Sequence, residues 1–156
     1  MISYKGSAGL LVARRVLGML ILVVATRAGA TLGGTEASVQ VDQAQLKAAL
    51  QVTPDARLTI HELKTAGTTV REFVSPAGTV FGVAWQGTAL PDLRQLLGAY
   101  FDQYLAAVET RRTRRAPVVI ELPGVIVHST GHMRAFVGNA YLPQNLPQGV
   151  SAEDIQ

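Results

Sequence analysis

Three histidines, eleven arginines and a single tryptophan are the side chains of this 156-residue sequence whose chemistry reaches beyond ordinary packing. His128 and His132 flank Ser129-Thr130-Gly131. If that triplet turns a hairpin, the two imidazoles face each other with Cβ atoms ~5 Å apart, which suits two ligands of one metal ion. A zinc or copper site needs a third and fourth donor, and His61 or Glu121 would have to arrive through the fold. The plainer reading is a pair of turn-flanking polar residues that hydrogen-bond the loop. His61-Glu62 opens like a zincin helix, but Leu63-Lys64-Thr65 follows, so the second histidine of that motif is missing. On a strand, His61 and Glu62 also point to opposite faces. Ser75 stands in a proline turn without the Gly-x-Ser-x-Gly context of a nucleophile. The chain has no cysteine, which excludes disulfides, thiol catalysis and a lipid-modified cysteine. No cofactor motif is present and none is expected to bind.

The arginines offer binding rather than catalysis. Arg71 and Glu72 on one strand, with Arg134 on a later one, would make a small polar group able to hold a carboxylate or phosphate; ordinary cross-strand pairing on a solvated face is the alternative. Arg111, Arg112, Arg114 and Arg115 crowd into five residues and would suit an anionic surface or an acidic partner. At a helix C-terminus they equally complement the helix dipole. Trp85 is a candidate ligand platform, although Trp85, Tyr100, Phe101 and Tyr104 all suit a core.

These residues must be positioned by elements whose periods are legible. Ala37 to Leu50 reads as a short helix with Asp42 as its N-cap, ended by Thr53-Pro54-Asp55. Leu58 to Lys64, Thr68 to Val74 and Thr79 to Trp85 read as three strands joined by tight loops, an antiparallel meander. In the third, Phe81, Val83 and Trp85 alternate with Val80, Gly82 and Ala84, so neither face is polar. That marks a central strand, with Gly82 and Ala84 admitting another element close to the backbone. From about Pro91 to Glu109 the period lengthens to 3.6, and a broad apolar face (Leu93, Leu96, Leu97, Tyr100, Phe101, Tyr104, Leu105, Val108) defines a long helix, the expected cover for those small residues. Pro91 and Asp92 suit its start. Val118 to Leu122, Val125 to Ser129 and His132 to Leu142 read as further strands, with turns at Pro123-Gly124 and Thr130-Gly131. The tail 144–156 has no apolar period and reads as an extended, loosely held end. The expected fold is thus α+β: an antiparallel sheet of five to six strands against one long and one short helix, one domain over 31–143.

The first thirty residues belong to a different class of sequence. Lys5, Arg14 and Arg15 precede the apolar run Val16 to Ala25, and Ala28-Gly29-Ala30 places small residues at a cleavage position after Ala30. Ten helical residues span only ~15 Å of a ~30 Å hydrocarbon core, which favours a cleaved signal over an anchor. Four of the 14 Lys and Arg lie in this segment while all 11 Asp and Glu lie beyond it, so the remainder carries one net negative charge. That balance removes the case for nucleic-acid binding, which needs a positive excess in the folded part. The expected product is periplasmic or secreted, without a stable membrane anchor.

Leu32-Gly33-Gly34, the run Val70 to Gly87 (VREFVSPAGTVFGVAWQG), Leu90 to Phe101 (LPDLRQLLGAYF) and Gly131 to Pro143 (GHMRAFVGNAYLP) together resemble the exported proteobacterial proteins grouped as domain of unknown function 2844. The resemblance implies bacterial export and a small domain, and brings no catalytic residue with it. The expected function is a non-enzymatic binding domain for an envelope protein or other envelope component; a metal-binding protein or metal-dependent hydrolase built on His128 and His132 is the alternative.

Overall fold

A computed structural model describes residues 32–111 and 117–156. The expected signal segment and Arg112, Arg114 and Arg115 lie outside the described residues. The chain is α+β, with one antiparallel sheet of seven strands in the order β1-β2-β3-β4-β7-β6-β5. The strands are β1 (Ala49–Pro54), β2 (Thr59–Lys64), β3 (Thr68–Val74), β4 (Val80–Gly87), β5 (Val118–Leu122), β6 (Val125–His132) and β7 (Ala135–Tyr141). Two meanders therefore meet at the β4·β7 seam, and the helical connection between β4 and β5 crosses one face of the sheet.

The strand beyond the expected six is β1, in a segment whose sequence reads partly as helix. Helix α1 spans Glu36–Leu46, earlier than its apolar spacing suggests, because Thr35 is held extended by a bridge to Thr79 and the helix starts directly after it. Asp42 is consequently inside α1 rather than its N-cap. Lys47 takes the left-handed conformation (φ 50) that closes a helix, which frees Ala49 onward to pair with β2. Pro54 is tolerated there because β1 is an edge strand and one of its sides needs no N–H.

The long helix is also interrupted. Helix α2 (Leu93–Leu97) and helix α3 (Phe101–Thr110) are separated by a 3₁₀ turn at Gly98–Tyr100. Gly98 has φ 48 and ψ −116, a conformation that essentially only glycine holds without strain. Asp92 caps α2, its Oδ1 accepting from the backbone N–H groups of Arg94 and Gln95. The break lets Leu93, Leu96 and Leu97 bury on the centre of the sheet while α3 turns toward β5, burying Tyr104. Only Leu105 of its large apolar residues stays largely exposed, so the helix has little spare apolar surface.

The two faces of the sheet are covered by different means and to different extents. On the helix face, Leu63, Val70, Val83, Trp85, Val127 and Ala140 meet α1, α2 and α3. On the other face, Phe73, Phe81, Ala84 and Tyr141 meet Val150 and Ile155 of the C-terminal segment. A β-bulge between β3 and β4 divides the large residues of β4: Val74 pairs Val80 while Phe73 pairs Gly82, so Phe81 turns to the face opposite Val83 and Trp85. Gly82 admits a close neighbour as its size requires, but the neighbour is Ile155, whose Cδ1 lies 3.1 Å from where a Cβ would stand. The C-terminal segment is thus a strap docked on the sheet, not a loose end; Ile155 is fully buried. No helix among the described residues is long and apolar enough to cross a membrane.

Candidate functional site

The strap covers only part of its face. Register places Ile60, Phe73, Gly82, Tyr141 and Ile126 in one row across the strands, and the strap lies over this row. The next row, Glu62, Arg71, Ala84, Asn139, His128 and Val119, borders the strap, and Lys64, Thr69, Gln86, Val137 and Thr130 follow beyond it. These two rows floor an open trough of about 910 Å³. Six neighbouring strands separated by about 4.8 Å make it about 24 Å long across the sheet.

The trough is charged at one end and apolar at the other. Glu62 Oε2 accepts from Arg71 Nε at 2.8 Å, and Lys64 Nζ lies 2.6 Å from Glu62 Oε1. Lys64 first and Arg71 second hold the Glu62 carboxyl below the usual range. Among side chains, two cations about one carboxylate leave this end an excess of one positive charge. Toward β5, Val137 and Val119 are 45% and 41% exposed, two of the few large apolar side chains left open to water. The strap is tied to the trough's inner row by backbone recognition: Arg71 donates to the Gln156 carbonyl and Asn139 Nδ2 to the Ile155 carbonyl, both at 2.8 Å. The His128 ring stands edge-on to Tyr141, with centroids 6.2 Å apart.

On the opposite face a second polar group is sealed under α1. Asp42 and Glu72 are buried side by side, and His61, directly across from Glu72 on β2, is also buried. Gln95 Nε2 donates to Asp42 Oδ1 at 2.5 Å, and His61 Nε2 lies 3.2 Å from Glu36 Oε1, near enough for an ion pair but without hydrogen-bond alignment. Burial first, then the hydrogen bond and charge of Asp42, push the Glu72 pKa up to about 9. Two carboxyl groups in one dry site cannot both ionise, so they share a proton. With no opening to water, this group holds α1 to the sheet rather than meeting a substrate.

The residues singled out in the sequence are largely dispersed by the fold. Arg71 and Glu72 alternate to opposite faces, and Arg134 is at the exposed tip of the β6–β7 turn with φ 61, so the three form no common site. Trp85 is 1% exposed and packs over Gly138, where a Cβ would meet its ring at 2.3 Å; it is core, not a platform. The β6–β7 turn falls at Met133-Arg134 instead of Thr130-Gly131, because β6 continues to His132. His128 and His132 are therefore on one strand, about 13 Å apart along it, and His128 faces Asn139 and Val119 instead. The facing-pair geometry does not form, and among the described residues no three His, Asp or Glu side chains gather as metal ligands. Arg111 is exposed at the end of α3. Of all these, Arg71, His128 and Trp85 border the trough, and the Trp85 side chain is turned away into the helix-face core. Gln86, Asn139, Val119 and Val137 join them, and their signal is weak: side chains two apart on neighbouring strands, visible only once the strand order is known.

The chain belongs to the family described as "Protein of unknown function (DUF2844)". Its model matches residues 28–155 and so spans the sheet, the helices and the strap alike. Neither a curated protein nor a solved structure matches the chain.

Proposed function

We propose that the protein is an exported, non-enzymatic binding domain of the bacterial envelope, and that the trough is its ligand seat. The observation that carries this reading is the half-covered sheet face: the strap buries the middle of one row (Phe73, Gly82 and Tyr141) and leaves the next two rows largely open, with Val119 and Val137 in water at the end away from the Lys64 and Arg71 cations. A face built only for stability would be covered over its central strands, as the helix face is apart from Val52 on the edge strand β1, or would be polar throughout. The broad apolar face of the long helix has less to support it as a seat, since Leu105 alone of that helix's large apolar side chains stands well exposed. The leader-like residues 1–30 support export, and the domain's slight negative charge without them argues against nucleic acid.

The test is crosslinking in native envelopes with matched variants. Val137→Asp, in the trough, abolishes the crosslinked species, whereas Leu105→Asp, on α3, leaves it intact. Both positions are exposed, so both variants fold, as the fluorescence of the sole tryptophan Trp85 and a thermal melt report. Crosslinks lost in Leu105→Asp and kept in Val137→Asp would move the seat to the helix.

A further inference from the structure

We infer that the ligand of the trough is an extended peptide, a segment of a partner protein laid beside the strap. The inference rests on the trough being the binding seat and adds what it binds. Its ground is that the inner row already recognises a peptide: Arg71 and Asn139 each donate to a main-chain carbonyl, of Gln156 and Ile155. Such contacts read backbone and not side chains, so the same chemistry serves any chain in an extended conformation.

The dimensions agree. Two rows of side chains, two residues apart on each strand, make a floor about 7 Å wide beside the strap, the width of one peptide, and about 24 Å accommodates some seven extended residues. Arg71 has five N–H donors, of which Glu62 and Gln156 engage two, so donors remain for an incoming carbonyl or carboxylate. Gln86 lies on the outer row between Thr69 and Val137 and adds a carboxamide that both gives and accepts. Of the residues lining the trough only Trp85 and His128 are aromatic, and the Trp85 side chain is buried in the helix-face core, which leaves no broad ring face for a sugar to stack on.

Charge and polarity give the peptide a direction. The side-chain excess of positive charge at Lys64 and Arg71 selects an acidic side chain at the β2–β3 end. Val137 is two strands from Arg71 and Val119 four, which is about 10 to 19 Å, so an apolar residue is selected about three to six positions from the acidic one. The acidic group contributes mainly to approach and register, the apolar one to retention.

The experiment uses the purified protein and a phage library of random heptapeptides, followed by titration of the most enriched peptide, made synthetically, against the ¹⁵N-labelled protein. Enriched sequences carry an acidic and an apolar residue at that spacing, and amide shifts gather at Thr69, Gln86, Val137 and Asn139. Val137→Asp and Arg71→Gln each weaken the peptide by at least about tenfold. Because Arg71 also holds the strap, Val137→Asp is the variant that decides if Arg71→Gln unfolds. No enrichment, or peptides that shift α3 instead and ignore Val137→Asp, overturns the inference. If native crosslinks still depend on Val137 while no peptide enriches, the trough remains the seat and the peptide is wrong; if they do not depend on it, the seat itself falls.

Discussion

With both carboxylate oxygens of Glu72 walled from water by α1 and the sheet, ionising it would set a second negative charge against Asp42 in a medium that screens poorly. The unfolded chain releases this proton near pH 4.5, whereas the folded protein keeps it to about 9. The folded state binds the proton more tightly, so the stability linked to it is complete below 4.5 and is lost as pH rises toward 9, by up to about 1.4 kcal/mol per pH unit. Urea unfolding followed through Trp85 should thus show stability falling between pH 5 and 9. Glu72→Gln keeps an N–H for Asp42 and carries no charge, so it flattens that slope and stabilises the protein at pH 8 by something on the order of 3 kcal/mol. An unchanged slope in the variant would show that the two carboxyls share no proton. Gly138 makes the complementary point about size. A methyl there meets the Trp85 ring at 2.3 Å and the His128 carbonyl at 2.5 Å, neither of which yields cheaply. Gly138→Ala should lower stability by about 1 to 3 kcal/mol, read as a shift in denaturant midpoint.

At the scale of elements, local period and tertiary contact divide the outcome between them. Strands β3 and β5 and the first residue of β6 are where their alternation puts them, because short turns with Gly and Pro fix both ends. Where a boundary depends on a distant partner, the sequence misleads. The start of α1 is set by the Thr35 bridge to Thr79, so Asp42 reads as a cap though it is buried inside the helix. The extension of β6 to His132 is set by pairing with Ala135 against the local appeal of Thr130-Gly131 as a turn. The apolar stripe of Pro91 to Glu109 runs on through Gly98, because a stripe records which side is buried and not whether the axis bends. That bend gives a prediction whose sign decides the matter. In a continuous helix Gly98→Ala would stabilise by about 1 kcal/mol, whereas at φ 48 and ψ −116 an added Cβ is strained and the substitution should destabilise by at least that much. A thermal melt distinguishes the two.

Over the whole molecule, the strap joins the stability of the fold to the shape of its open face. Leu146, Val150 and Ile155 follow no helical or strand period, which is why the segment reads as a loose tail, yet each contributes to the second core. What the sequence does disclose is the vacancy they fill: Gly82 and Ala84 on a strand with no polar face demand a close neighbour, and only the partner's identity is hidden. The trough was illegible for the same reason, since its floor is assembled from six strands whose order the sequence does not give and its wall is the strap. Ile155→Ala removes a fully buried side chain seated 3.1 Å from the Gly82 Cβ position and should cost about 2 to 5 kcal/mol. The loss should not be uniform. Amides of Phe73, Gly82 and Tyr141, which form the covered row, should exchange with solvent markedly faster, while those of Val127 and Ala140, buried beneath the helices, should change only with global stability. Because the Ile155 and Gln156 carbonyls leave Asn139 and Arg71 when the strap detaches, peptide affinity should move as well: a freed inner row widens the seat, and binding that tightens in Ile155→Ala would mark the strap as a competitor for it. Weaker binding would mark it instead as the wall against which the ligand is held.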